Sequence, residues 1–361
     1  MPPRVPHITG TPPVSISDVF KTYAVAVREH LPSGALTLFG VIVGSIAMLF
    51  PPLFYKQFFD VLSAPDALTR TPELLRVIFI VLALNMVGWV GWRLASFANA
   101  HFQPHVMTVL RERAFRYLLG HSYAFFAGSF TGALVQKVNR FARSFERLAD
   151  RLLWNIIPII IRIIGATVIL LAVNPTLTLI LLVWIVVFIG FNYAFSLWKL
   201  KYDIAGALAD TRATAALADA VTNQNTIQLF AGEPREEARY REASRDMARL
   251  QRFRWSLDGI VDAVQSILFF AIEFALFYYA IKYWEDGLIT IGVFVLVQTY
   301  LFDFVDRLWD FSRIVRDIYE SFADSKEMVE ILKRPHEIKD LPDAKPLSVP
   351  YGAINFEHVS F

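Results

Sequence analysis

The sequence predicts an all-α membrane protein with six membrane-spanning helices and long helical extensions on the cytosolic side. Hydrophobic residues make up 55% of the 361 residues and only 19% are charged, against about 25% in an average soluble protein. Residues 31–55 and 163–198 contain no charged side chain. An uncharged apolar run of about 18 residues or more is typical of a membrane span. The net charge of +2 is too small to indicate a nucleic-acid partner.

Two short segments precede the first span. Residues 1–14 are rich in Pro and lack an apolar run, so we expect a disordered cytosolic tail rather than a signal peptide. Residues 15–30 place apolar side chains at helical spacing behind Ser15 or Ser17 as a possible cap. This pattern predicts an elbow helix that lies in the membrane interface.

The six spans belong to one membrane domain, residues 31–322. They are predicted at about residues 35–60, 75–102, 148–173, 176–198, 258–281 and 288–310. The third and fourth are separate because Asn174-Pro175 interrupts an apolar run that would extend about 54 Å as one helix.

The Lys and Arg residues predict the orientation of these spans. Residues 103–151 contain eight of them and residues 199–257 contain ten, whereas the loops on the opposite side contain only Arg70 and Lys282. Because basic residues are retained in the cytosol, both termini and the two long loops, 103–147 and 199–257, are expected to be cytosolic.

Three stretches of this chain are similar to one known family. The first contains Ser122 to Phe126, then Thr131 to Leu134 and Asn139; the second is Asp219 to Glu233. The third contains Ile331-Leu332, Pro335 and Gly352 to Phe361. Taken in this order, they resemble the transmembrane half of an ATP-binding cassette (ABC) exporter with six helices. The sequence departs from the family pattern at Arg140, Asn223 and Gln228.

The resemblance implies how the chain is organised and what it works with. Residues 323–350 would be a linker and residues 351–361 the first strand of a truncated nucleotide-binding domain. That domain would bind ATP and Mg, and a second half-transporter, identical or different, would complete the exporter. The substrate would be an amphipathic small molecule, lipid or peptide, and the membrane a bacterial inner membrane.

The resemblance also assigns the contacts with the nucleotide-binding domain to the tips of the two cytosolic loops. These coupling residues are Tyr123, Phe125, Phe126, Asp219, Val221 and Asn223.

No catalytic residue is predicted in this chain. It has no G-x-x-x-x-G-K-[ST] loop to hold ATP phosphates, although the resemblance implies an ATP-hydrolysing translocase for the whole protein. No metal site is predicted either, because His101 and His105 have helical spacing but lack a nearby third ligand.

Ionisable residues at membrane depth are the candidates for a substrate pathway. Arg162 lies near the middle of the third span and Glu273 near the middle of the fifth. One face of the sixth span combines polar and charged side chains: Thr299, Asp303, Asp306, Arg307 and Asp310.

Two interpretations of these charges remain open. They neutralise one another structurally, for example Arg162 with Glu273 and Asp303 with Arg307, or they line a pathway. Since the resemblance implies that the sixth helix lines the central cavity, the second interpretation predicts an acidic wall that favours cationic or zwitterionic amphiphiles.

Two other functions are compatible with the sequence. One is a transporter of similar architecture driven by an ion gradient, with Asp303, Asp306 and Glu273 as protonation sites. The other is a channel-like or regulatory relative that does not transport.

Overall fold

Helices are the only regular secondary structure in the part of the chain that the structure describes. A computed structural model describes residues 14–129, 131–309, 311–339, 343–346 and 351–360, and these contain no strand. The all-α fold predicted from the sequence is therefore confirmed. The predicted tail lies outside the described residues except for Val14, which is buried.

Twelve α-helices are assigned in the described residues. They are α1 Ile16–Glu29, α2 Leu31–Ala47, α3 Pro51–Leu62, α4 Thr71–Leu119, α5 Tyr123–Ala127, α6 Thr131–Asp150, α7 Ile157–Val173, α8 Pro175–Thr222, α9 Gln224–Leu229, α10 Glu233–Glu285, α11 Ile291–Trp309 and α12 Phe311–Leu332. A 3-10 turn at Ala67–Arg70 precedes α4, and a π-helical segment at Arg151–Ile156 joins α6 to α7.

Five helical segments of the described chain are long and apolar enough to cross a membrane. They are Leu31–Leu62, Leu68–Leu119, Thr131–Val173, Pro175–Thr222 and Glu233–Glu285, in agreement with the first five predicted spans. The sixth predicted span corresponds to α11, which has 19 residues but carries Asp303, Asp306 and Arg307 near its end. Because of these three charges, α11 is less apolar along its length than the apolar parts of the other five segments.

The predicted extensions beyond the bilayer are present. Helices α4, α8 and α10 contain 49, 48 and 53 residues. At about 1.5 Å per residue the longest extends about 80 Å, more than twice the hydrocarbon thickness of a bilayer. The short helices α5 and α9 lie at the turns between these long helices.

Prolines set the breaks between the spans. Asn174 has an extended backbone, and its side-chain oxygen accepts hydrogen bonds from the amides of Thr176 and Leu177 at 3.0 and 3.1 Å. It thereby caps α8, which begins at Pro175. The first span is also interrupted, by Pro51 at the start of α3, which the sequence analysis did not predict.

Helices α6 and α12 pack together through ion pairs as well as apolar contacts. Arg147 Nη2 lies 2.5 Å from Asp324 Oδ2, and Arg151 Nη2 lies 2.5 Å from Asp317 Oδ2. Arg140, a departure from the family pattern, lies 2.9 Å from Glu327. This extra basic residue therefore belongs to the same set of ion pairs between the two helices.

The elbow helix is present as α1. Its cap is Ser15, whose side chain accepts from the amide of Asp18, while the Asp18 carboxylate accepts from the amide of Ser15. Tyr23 anchors the helix, because its hydroxyl donates to the Phe141 carbonyl at 3.0 Å and lies 2.6 Å from Ser325 Oγ. Helix α1 is thus held against both α6 and α12.

The predicted strand at 351–361 has no regular secondary structure in residues 351–360, whose side chains are exposed. A strand needs a neighbour to pair with, and the described residues provide none. Its assignment to a nucleotide-binding domain stays a prediction.

Candidate functional site

An ion pair between α7 and α11 lies at the centre of the candidate pathway. Arg162 is 8% exposed, and its Nη1 lies 3.1 Å from Asp303 Oδ2. The other oxygen of Asp303 accepts from Arg307 Nε at 3.2 Å. Asp303 therefore lies between two guanidinium groups, one from each helix.

This arrangement corrects one predicted pairing and confirms another. The pair of Arg162 with Glu273 is wrong, because Arg162 faces α11 while Glu273 lies half-buried on α10. The pair of Asp303 with Arg307, one turn apart on a helix, is confirmed.

The ion pair leaves part of the buried guanidinium without a hydrogen bond. Arg162 Nε is buried and donates to no acceptor in the described part of the chain. A buried donor without a partner is costly, so it is a candidate contact for water or for a bound molecule.

Two other predicted pathway residues, Thr299 and Asp306, lie on α11 with Asp303 and Arg307. Thr299 is half-buried and its hydroxyl donates to the Val295 carbonyl at 2.7 Å, whereas Asp306 is exposed. Asp310 lies outside the described residues. Because Arg162 joins the face formed by α11, the described charges there are two guanidinium groups and two carboxylates. The acidic excess predicted from α11 alone is reduced accordingly.

Tyr300 is a positioning residue that the sequence analysis missed. It is fully buried, and its hydroxyl donates to the Leu49 carbonyl at 2.8 Å. Leu49 lies just before Pro51, where the break between α2 and α3 leaves a carbonyl for Tyr300 to satisfy. The contact holds α11 against the first span beside the ion pair, and the interrupted first span was the signal that could have indicated it.

Helix α5 forms the first predicted coupling tip, and its aromatic residues differ in exposure. Tyr123 is 86% exposed, Phe126 is half-buried, and Phe125 is 8% exposed. Phe125 stacks on His121 with ring centroids 4.1 Å apart. The guanidinium group of Arg334 lies over the same Phe125 ring, 5.3 Å from its centroid. Tyr123, rather than Phe125, is therefore the side chain available to another domain.

The segment after α12 is attached to this tip. Glu337 Oε2 accepts from the Ser122 amide at 3.1 Å and lies 3.1 Å from His121 Nδ1. The Tyr117 hydroxyl donates to the Arg334 carbonyl at 2.6 Å. The Ser122 amide and His121 lower the pKa of the Glu337 carboxyl from 4.5 to about 2.

The second predicted coupling tip surrounds α9. Asn223 Nδ2 donates to the carbonyl and to the side chain of Asp219, both at 3.0 Å. Arg239 Nη1 lies 3.1 Å from Asp219 Oδ2 and joins α10 to α8. The predicted polar residues Asp219 and Asn223 thus shape the turn itself.

Exposed apolar side chains surround that turn. Val221 is 68% exposed, Leu229 is 82% exposed and Phe230 is 81% exposed. Of these three, the sequence analysis assigned a coupling role only to Val221. Large apolar residues at this exposure are unusual on a polar extension and mark a contact surface.

The sequence contains no motif that would bind the phosphates of ATP. The 361 residues contain no Walker-type phosphate loop, and the described residues contain no group of three or more His, Cys, Asp or Glu that could hold a metal ion.

Comparisons with known proteins agree with this architecture. The chain is 24% identical over 341 residues to an "ATM1-type heavy metal exporter" of Novosphingobium aromaticivorans, covering 93% of this chain and 55% of that protein. It is 23% identical over 268 residues to an "Iron-sulfur clusters transporter atm1, mitochondrial" of Aspergillus fumigatus, covering 73% of this chain and 37% of the relative.

A solved structure shares the fold. A bacterial Atm1-family ABC exporter with ATP bound superposes with a TM-score of 0.67 at 23% identity, covering 88% of this chain and 56% of that chain. The chain thus spans about half the length of the first of these relatives and of this structure.

The family described as the ABC transporter transmembrane region matches residues 35–307, which include the first five predicted spans, most of the sixth, both coupling tips and the ion pair of Arg162 with Asp303. This chain therefore belongs to the family of ABC transporter transmembrane regions.

Proposed function

We propose that the chain forms the substrate pathway of a dimeric ABC exporter. In this proposal a nucleotide-binding domain supplies ATP binding and hydrolysis, and two copies of the membrane domain, or this chain and a different one, move an amphipathic substrate outward. The observation that carries the proposal is the group of Arg162, Asp303 and Arg307, since charged groups at membrane depth in a transporter family usually mark a pathway.

The charges favour a substrate that carries both signs. Arg162 Nε on α7 is a buried donor without a partner among the described residues, and the exposed Asp306 on α11, the helix that Arg162 contacts, is an acceptor. A zwitterionic amphiphile would satisfy both, whereas a purely cationic or anionic one would satisfy only one.

The names of two relatives refer to heavy metals and iron–sulfur clusters. Soft metals prefer thiolate ligands, and this chain has no cysteine. If a metal is carried here, we infer that it travels within an organic complex whose charged groups contact the pathway.

Motion of the nucleotide-binding domains would reach the pathway through the two tips. Tyr123 on α5 and the apolar group of Val221, Leu229 and Phe230 around α9 are exposed for such contacts. The contact between a tip and the nucleotide-binding domain would differ in free energy between the two nucleotide states of that domain. This difference is enough to shift the helices between inward-facing and outward-facing forms.

We also propose a bacterial inner membrane with both termini in the cytosol, on the evidence of the basic loops. Single cysteines at Ser129 and Ser244 should then resist a membrane-impermeant thiol reagent in intact cells, while cysteines at Thr69 and Asp286 should react. Labelling at Ser244 from outside would contradict this orientation.

The experiment that tests the proposed function is ATP-dependent uptake of amphiphilic dyes into inside-out vesicles containing the chain together with its nucleotide-binding domain. Zwitterionic dye should accumulate, with Asp306→Asn shifting preference toward anionic dyes and Arg307→Gln toward cationic dyes. Equal responses of all dyes to both substitutions would assign the charges a structural role only. Uptake driven by a proton gradient without ATP would support the ion-gradient alternative.

A further inference from the structure

A cavity of about 650 Å³ lies between the elbow helix α1 and the neighbouring helices. It is lined by α1, α2, α4, α6, the π-helical segment, α7 and α12, and by no residue of α11. It is therefore separate from the charged face of the candidate pathway. Its volume is within the range of about 300 to 1,000 Å³ that is common for small-molecule sites.

The lining of this cavity is apolar. Among the described lining residues only Tyr23 has a polar side-chain atom. Its hydroxyl is already hydrogen-bonded to the Phe141 carbonyl and to Ser325 Oγ. The ring of Phe102 forms part of the wall and is 6% exposed. A polar ligand would lose its hydrogen bonds to water here without replacement, so an apolar ligand is required.

Small residues keep the space open. Ala24 and Ala35 line the cavity and are themselves exposed, and Ala149 lines it from α6. At Gly34 an added Cβ would lie 2.8 Å from Phe102 Cε2, so the absence of a side chain there lets the ring pack against α2. Larger side chains at the alanines would fill the cavity.

The cavity lies where the spans meet the membrane surface. Leu31 and Leu38 belong to the start of the first span, Phe102 to the end of the second and Ile157 to the start of the third. Its rim residues Phe20 and Leu31 are 54% and 58% exposed. The opening is thus continuous with the apolar surface that faces lipid.

The other side of α1 is different. A second cavity there is lined by the charged residues Lys21, Arg113 and Arg116 together with apolar ones such as Val25 and Leu110. Helix α1 therefore separates an apolar cavity from one whose lining includes cationic groups, as expected for a helix at a membrane surface. The apolar cavity is on the side that we expect to face the bilayer.

We propose that this cavity binds one acyl chain of a phospholipid from the leaflet on the side of the helical extensions, which the basic loops predict to be the cytosolic leaflet. The bound chain would fill the space under α1 and connect the elbow helix to the third span and to α12. This site is additional to the proposed substrate pathway.

The test is photo-crosslinking of the full chain in nanodiscs of phosphatidylethanolamine that carries a diazirine near the end of one acyl chain. The variant Ala24→Leu/Ala35→Leu fills the cavity from two exposed helical positions. Ala83→Leu on the lipid-facing side of α4 is the matched control.

In the wild-type chain and in Ala83→Leu, we expect crosslinks at Phe102 and Phe145 themselves, located by fragmentation of the cavity peptides that contain them. Bulk lipid does not reach these two side chains because each is only 6% exposed. The filled variant should lose at least about tenfold of this labelling, which corresponds to a loss of affinity of the same factor. Ala35→Leu alone, a smaller change, should give an intermediate loss. Melting temperatures identify variants that fold.

The proposal is overturned if the wild-type cavity peptides are not labelled, or if folded Ala24→Leu/Ala35→Leu is labelled as strongly as the control. Labelling that occurs in monomers and disappears in dimers would assign the cavity to a second copy of the chain, and it too would overturn the proposal.

Discussion

Arg162 Nη1 lies 3.1 Å from Asp303 Oδ2, so an ion pair joins the third membrane-spanning segment to the sixth. Asp303 also accepts from Arg307 on its own helix. Among the described residues, Arg162 and Arg307 share this one carboxylate as their acidic partner, whereas the carboxylate has two cationic partners. This asymmetry gives unequal predictions for the two sides of the pair.

Asp303→Asn should destabilise the chain more than Arg162→Gln. Loss of the carboxylate leaves Arg162 buried without a counter-charge. Removing one partner of a buried ion pair typically costs about 3 kcal/mol or more in the free energy of unfolding. Arg162→Gln leaves Asp303 paired with Arg307 and should cost less. Thermal unfolding in detergent measures both, with the exposed Asp306→Asn as control. Equal losses for the two variants would contradict the arrangement.

Gly292→Ala should destabilise the packing of α11 against α3. The Gly292 amide donates to Asp60 Oδ1 at 2.8 Å, and an added Cβ would lie 2.1 Å from the Lys56 carbonyl oxygen. Overpacking of this kind typically costs about 1 to 3 kcal/mol. At Gly259 an added Cβ meets nothing within 4 Å, so Gly259→Ala should instead stabilise its helix by up to about 1 kcal/mol. A melting temperature that rises in both variants would refute the close approach at Gly292.

Tyr123→Ala should uncouple transport from ATP hydrolysis without changing the melting temperature of the membrane domain. Tyr123 is 86% exposed, and loss of an aromatic anchor at an interface typically costs about 2 kcal/mol. Phe125→Ala should lower the melting temperature, because Phe125 packs on His121 within the chain. Transport per ATP is measured in the protein that includes its nucleotide-binding domain. If Tyr123→Ala keeps the wild-type ratio, α5 does not couple through this side chain.

Attachment of the segment after α12 to the first tip should depend on acid pH. The pKa of Glu337 is lowered to about 2 from 4.5, so its contribution is fully present above about pH 4.5 and is lost as the pH falls toward about 2. Hydrogen exchange of residues 333–339, corrected for the intrinsic rate, should show protection that falls over this window. Glu337→Gln should lack both the protection and its pH dependence. Wild-type protection that is unchanged across the window would count against the contact.

The sequence predicted features that depend on local chemistry. Asn174 and Pro175 break the helix through their own backbone preferences, and the capping residue Ser15 acts within one turn. Apolar runs predicted the spans because their length and composition alone satisfy the bilayer. These features require no knowledge of which helices are neighbours.

The side-chain contacts that sequence reasoning missed depend on packing between segments that are distant in sequence. Arg162 was paired with Glu273 because both lie near the middle of a span, but α7 packs on α11 and brings Asp303 closer. Phe125 was expected at the surface of the tip, yet it is covered by Arg334 and His121. Helical periodicity gives the face of one helix and does not identify the partner of that face.

If the chain forms the pathway of a dimeric exporter, as we propose, two copies of the sixth span should face one another across a pathway whose width follows the nucleotide state. Because the chain has no cysteine, Thr299→Cys can carry a single spin label in each copy of the exporter with its nucleotide-binding domain. Pulsed dipolar spectroscopy measures the distance between the two labels without nucleotide and with ATP plus vanadate. We predict a dipolar signal in both states and a clear change of distance between them. No signal between labels, or the same distance in both states, would contradict the claim.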